Sequence, residues 1–167
     1  MTEHTVVADD VRRSPWMPAS SPAYVAVVGP AATSDETVVD RAFQVGVELA
    51  RRGAVVVSGG LGGVMAAACR GACEAGGTTL GILPGDDRAA ANPWVTVAVA
   101  TGMGELRNGL VVRASDAVLA VAGAYGTLSE IALALKAGKR VVGLGTWDIP
   151  GVLVAPDPVG AVALALA

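Results

Sequence analysis

The chain has 167 residues, 53% of them apolar and only 4% aromatic, so one domain with a core of Ala, Val, Leu and Gly is expected. Its formal net charge of -3, with acids and bases spread along the sequence, leaves no basic stripe for polymeric nucleic acid and no polybasic membrane patch. Gly, Pro or a charge interrupts every apolar run before it reaches transmembrane length.

Residues 1–22 are rich in Ser, Pro and charge without periodicity, and read as a mobile N-terminal tail ahead of a single domain over 23–167. The tail carries Glu3, Asp9 and Asp10 and no apolar stretch after Arg12 and Arg13, so it does not read as a secretory or twin-arginine signal; a cytoplasmic protein is expected. The domain opens with an apolar run, Tyr24 to Val28, followed by a helical pattern from about Asp35 to Arg52. A second apolar run, Ala54 to Val57, ends in Ser58-Gly59-Gly60. A small-residue helix from about Gly62 to Ala75 holds Cys69 and Cys73, whose spacing lacks the second ligand pair of a structural zinc site; two buried thiols are expected.

Next come a strand, Thr78 to Leu83, and a loop with Pro84, Gly85, Asp86, Asp87, Asn92 and Pro93, long enough for a ligand lid. A short strand near Val95 to Val99 precedes a helix from about Met103 to Arg113. The pattern closes with strand Ala117 to Val121, helix Leu128 to Ala137, strand Arg140 to Leu144, a short strand at Val152 to Val154, and a helix from Pro158. Short apolar runs alternating with helices indicate an α/β fold: a single Rossmann-like, doubly wound, mainly parallel sheet with helices on both faces.

In such sheets ligands bind beyond the carboxyl ends of the strands. Four turns stand there: Gly29-Pro30, Ser58 to Gly63, Pro84 to Asp87, and Ala122 to Thr127. Glycines between strand and helix let backbone approach an anion that the free N–H groups of the helix start can bind. Tight turning alone would also explain one such turn; two in one sheet favour a site. Neither the Walker phosphate loop nor the dinucleotide G-x-G-x-x-G pattern is present, which disfavours ATP hydrolysis and NAD-dependent redox chemistry.

At 100° per residue Met103, Leu106, Leu110, Val111 and Ala114 form an apolar arc with Arg107 in its middle. An inward guanidinium needs an anion, either a ligand phosphate or carboxylate or a neighbouring acidic side chain. Asn108 and Arg113 fall off the arc and suit solvent. Glu130 has two readings: Thr127 to Glu130 fits a capping box, and the same carboxylate stands beside a glycine-rich cradle, where it could stabilise positive charge on a sugar.

Together, Ser58 to Met65 (SGGLGGVM), Gly81 to Pro84 (GILP), Leu106-Arg107-Asn108 and Gly123 to Glu130 (GAYGTLSE) resemble the lonely-guy (LOG) family over roughly Tyr24 to Trp147. The likeness is greatest to its short bacterial branch, which is related to molybdenum-cofactor carrier proteins. The resemblance implies a homodimeric Rossmann-like protein and, in active members, a phosphoribohydrolase cleaving the N-glycosidic bond of a nucleoside 5'-monophosphate. The family pattern P-G-G-x-G-T-x-x-E maps onto Ala122 to Glu130. It makes Glu130 the catalytic carboxylate and assigns the phosphate to Gly123, Ala124, Tyr125, Gly126 and Thr127, with Arg107 orienting the substrate. Gly29, Ser58, Gly59, Gly60, Gly62, Gly63, Met65, Pro84, Gly85 and Asn108 are the remaining expected ligand contacts.

No metal and no required cofactor are implied; a nucleotide such as AMP would be a ligand. The decarboxylase label often given to such proteins finds no lysine in a cofactor-anchoring context. The sequence departs from the LOG pattern at Ala122 and Ala124, which replace Pro and Gly, and at Asn108, which replaces Lys. A non-catalytic carrier or sensor of a phosphorylated ligand, such as molybdenum cofactor or AMP, therefore stands beside the hydrolase.

Overall fold

A computed structural model of the chain describes residues 21–167; the expected N-terminal tail, except its last two residues, lies outside them. The strands are β1 (Tyr24–Val28), β2 (Val55–Ser58), β3 (Thr79–Leu83), β4 (Val97–Ala100), β5 (Ala117–Val121), β6 (Arg140–Leu144) and β7 (Val152–Val154). The helices are α1 (Glu36–Arg51), α2 (Gly63–Glu74), α3 (Asn108–Arg113), α4 (Tyr125–Lys136) and α5 (Pro158–Ala165), with short 3-10 turns at Arg88–Ala90 and Gly104–Arg107. The seven strands form one sheet in the order β4-β3-β2-β1-β5-β6-β7. Every pairing is parallel.

This is the expected Rossmann-like sheet, and its burial explains the unbroken apolar runs. In β1, Val25 and Val27 join a core with α1, α2 and α5, while Ala26 and Val28 join the opposite core with α3 and α4. A central parallel strand has no solvent face, so both sides of its pleat must be apolar. Helix α1 starts where Asp35 accepts hydrogen bonds from the N–H groups of Thr37 and Val38, an ordinary side-chain cap. Helices α1 and α2 cross closely because neither presents a Cβ at the crossing. A Cβ on Gly46 would stand 2.0 Å from the Ala68 carbonyl oxygen, and one on Gly71 would stand 2.0 Å from that of Phe43.

Two expectations are corrected. Cys69 is buried but Cys73 is exposed, because Cys73 lies in the last turn of α2, where residues 73–76 leave the cover of the core. The apolar arc proposed around Arg107 does not face inward. Met103, Leu106, Leu110 and Ala114 are exposed, while Arg107, Asn108, Val111 and Val112 are buried. The first turn is 3-10 rather than α, and its tighter winding breaks the constant 100° step on which the arc was drawn. Arg107 is still inward, and Asn108 goes with it instead of into solvent.

Strand order reverses between β1, which pairs with β2 on one side, and β5, which pairs with β6 on the other. The crevice outside that switch point is where open α/β sheets place ligands.

Candidate functional site

A cavity of about 250 Å³ opens at this crevice. Gly29, Pro30 and Ala31 border it after β1, Leu61 and Met65 from the second glycine turn and α2, and Pro84 after β3. Glu105, Arg107 and Asn108 enter from the segment leading into α3, and Ala124, Gly126, Thr127 and Glu130 from α4. A larger recess of about 710 Å³ lies at the opposite ends of the strands, among residues such as Ala23, Asp116, Lys139 and Leu166. It is away from the glycine turns at Gly29, Gly59 to Gly63, Gly85 and Gly123 to Gly126, and the smaller cavity holds the buried charges of Arg107 and Glu130.

The start of α4 shapes one wall. The chain is extended at Ala124, which is the N-cap and offers no side-chain hydrogen bond. The N-cap of α4 therefore lies three residues before Thr127, the cap expected from the sequence. Thr127 is the third residue of the helix and Glu130 lies in its second turn, so the expected capping box does not form. The early start turns Thr127 and Glu130, three apart, onto one buried face, as helical geometry requires. The first-turn N–H groups of an uncapped helix have no intrahelical acceptor and carry the positive end of its dipole. Thr127 Oγ1 is buried beside them with no hydrogen-bond partner.

Arg107 is 8% exposed and crosses the face of Gly59. A Cβ there would stand 2.4 Å from the Arg107 Nη2 atom, so this glycine is required by a side chain passing over it. Nη1 donates to Asn108 Oδ1 at 2.6 Å and lies 3.6 Å from Glu130 Oε1. Arg107 Nε is buried without a partner. Glu130 is 6% exposed, and burial pushes its pKa from an ordinary 4.5 up to about 7. Arg107 pulls it back down and Glu105 adds a smaller upward push. A carboxyl in that range can hold or release a proton near neutrality.

The structure brings together Gly29, Met65, Pro84, Arg107, Asn108, Ala124, Gly126, Thr127 and Glu130. Other expected contacts stand behind the wall. Ser58 Oγ accepts from the Gly60 N–H and pairs with Cys69 Sγ at 3.4 Å, inside the core. Gly60 and Gly63 have positive φ, and a Cβ on Gly62 or Gly63 would meet the carbonyl oxygens of Ala31 or Pro30. These glycines shape the turn. A Cβ on Gly123 would meet the Trp147 ring nitrogen at 2.6 Å, Gly85 does not border the cavity, and Tyr125 points outward, 86% exposed. The supposed lid is pinned at its far end, where Asn92 Nδ2 donates to the carbonyls of Gly60 and Leu61.

Sequence reasoning missed Ala31, Leu61 and Glu105. Glu105 could have been found as the acid two positions before the inward arginine; Leu61 and Ala31 carry no chemical signal. Among the described residues, no cluster of three or more His, Cys, Asp or Glu is placed to hold a metal ion, and no helix is long and apolar enough to cross a membrane.

The sequence profile of the SLOG cluster4 family matches residues 22–157, nearly the whole described domain and every element of the site. The chain belongs to the SLOG cluster4 family. This places it in the LOG-like superfamily, as the motifs at Ser58–Met65 and Gly123–Glu130 imply. An uncharacterised protein of Archaeoglobus fulgidus is 45% identical to this SLOG chain over 120 residues, 72% of this chain and 78% of the relative. The solved structure of the molybdenum cofactor binding protein from Rippkaea orientalis superposes with a TM-score of 0.82 at 35% identity, covering 86% of this chain and 95% of that one. The molybdenum cofactor carrier protein from Chlamydomonas reinhardtii gives 0.76 at 36% identity, with the same coverage.

Proposed function

We propose that this SLOG protein is a carrier that binds a small phosphorylated ligand of pterin or nucleotide type, its phosphate seated on the first turn of α4. The observation that carries this reading is that one cavity is lined by two residues, each with a buried polar atom that has no partner in the protein. Thr127 Oγ1 and Arg107 Nε both lack partners, and their residues line the cavity into which the uncapped start of α4 brings Ala124, Gly126 and Thr127. Such groups are costly to bury unsatisfied, and a phosphate satisfies them together. Gly126 lines the cavity with no protein atom within 4 Å of where its Cβ would stand, which leaves the approach to the helix start open. The similarity to two molybdenum cofactor proteins along most of their length favours a pterin over other phosphorylated ligands. Mass spectrometry of ligand copurifying after gentle isolation tests this: a phosphorylated pterin or nucleotide supports it, and an apoprotein that binds neither when both are supplied rejects it.

A second reading, the nucleoside monophosphate phosphoribohydrolase, is favoured by one observation, the Glu130 carboxyl on the wall of the same cavity. A carboxylate there would face an oxocarbenium-like ribose. Adenine release from AMP decides between the two. Turnover indistinguishable from buffer rejects the hydrolase for that substrate, and a loss of about 100-fold in Glu130→Gln, with AMP binding kept, assigns the role to Glu130.

The exposed apolar side chains of Leu106, Leu110, Tyr125 and Leu133 suit burial in a homodimer. The free thiols of Cys69 and Cys73 suit a reducing compartment such as the cytoplasm.

A further inference from the structure

The geometry points to Asn108 and Ser129 as positioning residues that hold the Arg107 guanidinium off Glu130 and so keep it open to an incoming anion. The inference rests on the reading of the cavity as a phosphate site, and it concerns how that site is kept from closing on itself.

Arg107 and Glu130 are both buried and both line the cavity. With nothing else nearby, an arginine and a carboxylate in this position would close into a hydrogen-bonded pair at about 2.7–2.9 Å. They stand instead at 3.6 Å, beyond hydrogen-bond distance. The atom of Arg107 nearest Glu130 is Nη1, and it already donates to Asn108 Oδ1 at 2.6 Å.

Asn108 is itself anchored. Its Nδ2 donates to Ser129 Oγ at 3.0 Å, and Ser129 Oγ donates to the Gly126 carbonyl at 2.8 Å. Since a serine hydroxyl has one proton, these two bonds fix its orientation: it accepts from Asn108 and gives to the helix. The chain from Arg107 through Asn108 and Ser129 to Gly126 thus ties the guanidinium to the helix start proposed to cradle the phosphate. Asn108 stands where the LOG pattern has lysine. A lysine has no acceptor and could not hold Nη1 this way, so the asparagine changes what the arginine does as well as removing a charge.

Without Asn108, Nη1 would be released toward the only carboxylate within salt-bridge distance of it among the described residues, Glu130. The pair would then close, and an anion would have to break it before binding. A role confined to packing predicts no such competition.

Two measurements test this on the full chain. The first needs no ligand: carboxyl-carbon NMR follows Glu130 titration in wild type, Asn108→Ala and Ser129→Ala. Closure of the pair should move the Glu130 midpoint downward in Asn108→Ala and less far in Ser129→Ala; an unchanged or raised midpoint in both overturns the inference. Calorimetric titration with inorganic phosphate is the second. Asn108→Ala should weaken binding about tenfold, as expected for losing a hydrogen bond to a charged group. Adding Glu130→Gln should recover most of that loss relative to Glu130→Gln alone, because the competing carboxylate is gone.

A double variant as impaired as Asn108→Ala would show that Asn108 acts otherwise and would overturn the inference. Should Asn108→Ala fail to fold, Ser129→Ala, which keeps the asparagine, supplies both readouts. A wild-type protein that binds no inorganic phosphate sinks the phosphate reading of the cavity, and the ligand-free titration then decides the role of Asn108 by itself.

Discussion

Arg107 Nη1 and Glu130 Oε1 stand 3.6 Å apart in the crevice between β1 and β5, a buried ion pair held open instead of closed. The arginine arrives from a 3-10 turn and the carboxylate from the second turn of α4. Neither helix needs the pair for its own stability, and both charges would be solvated at lower cost outside the cavity. Their retention there is what marks the crevice as a site.

Burial raises the Glu130 pKa from 4.5 to about 7, so the folded chain keeps this proton over a range where the unfolded chain has released it. The native state then binds more protons, and stability falls as pH rises through the window from about 4.5 to about 7, levelling off above it. The contribution of this group amounts to at most about 3 kcal/mol. Urea unfolding at pH 5 and pH 8 should show a larger loss of stability for wild type than for Glu130→Gln. Equal losses in the two proteins would contradict the assignment.

Gly59 faces a functional side chain, whereas Gly46 faces backbone. In Gly59→Ala the new Cβ meets the far end of Arg107, which can swing aside. Phosphate affinity should drop about tenfold while stability changes by less than ~1 kcal/mol. In Gly46→Ala the Cβ meets a fixed carbonyl of α2 at 2.0 Å, and forcing the helices apart should cost about 3 kcal/mol or more. Denaturation and phosphate titration of both variants check this. A Gly59→Ala protein with full affinity would remove Arg107 from the site.

Much of this architecture is legible in the sequence, and each departure from it has a local physical cause. Ala117 to Val121 and Arg140 to Leu144 are strands with the expected bounds, since a run apolar on both sides admits few alternatives. Arg107 is conspicuous as a charge among apolar neighbours. Thr127 and Glu130 offer a cap in side chains, whereas α4 is started by extended backbone at Ala124, which has no sequence signature. At a constant helical phase Asn108 belongs in solvent, and the 3-10 turn before it shifts that phase. Wall residues such as Leu61 and Ala31 contribute only shape, which a sequence does not spell.

Ala122 joins β5 to the cradle at φ 53, the only non-glycine at positive φ among the described residues. An L-residue there pays a steric cost of about 1–2 kcal/mol that glycine avoids, offset in part by glycine's greater freedom when unfolded. Ala122→Gly should therefore raise stability by about 0.5–1 kcal/mol. Pro, which the LOG pattern carries at this position, is excluded here twice: its φ is fixed near -65°, and the Ala122 N–H donates to the Leu144 carbonyl. Thermal unfolding should rank Ala122→Gly above wild type and Ala122→Pro far below. A stable proline variant would mean that the turn takes another conformation.

The phase of the segment leading through α3 puts an apolar surface outside. Leu106 is 77% exposed and Tyr125 86%, with Met103, Leu110 and Leu133 also exposed. Leu106, Gly109, Tyr125 and Leu133 line one recess of about 500 Å³, which shares Glu105, Asn108 and Gly126 with the ligand cavity. Large side chains gathered this way are unusual on a monomer, and a twofold contact would bury each against its counterpart. Light scattering at tens of micromolar should give twice the 16.5 kDa chain mass. Leu106→Glu places a charge in the middle of that contact and should yield monomer. Because Leu106 makes little contact within its own chain, the variant should keep its helical circular dichroism and its unfolding midpoint apart from what dimerisation adds. A monomeric wild type rejects the dimer outright. A Leu106→Glu protein that remains dimeric moves the interface away from α3 and α4.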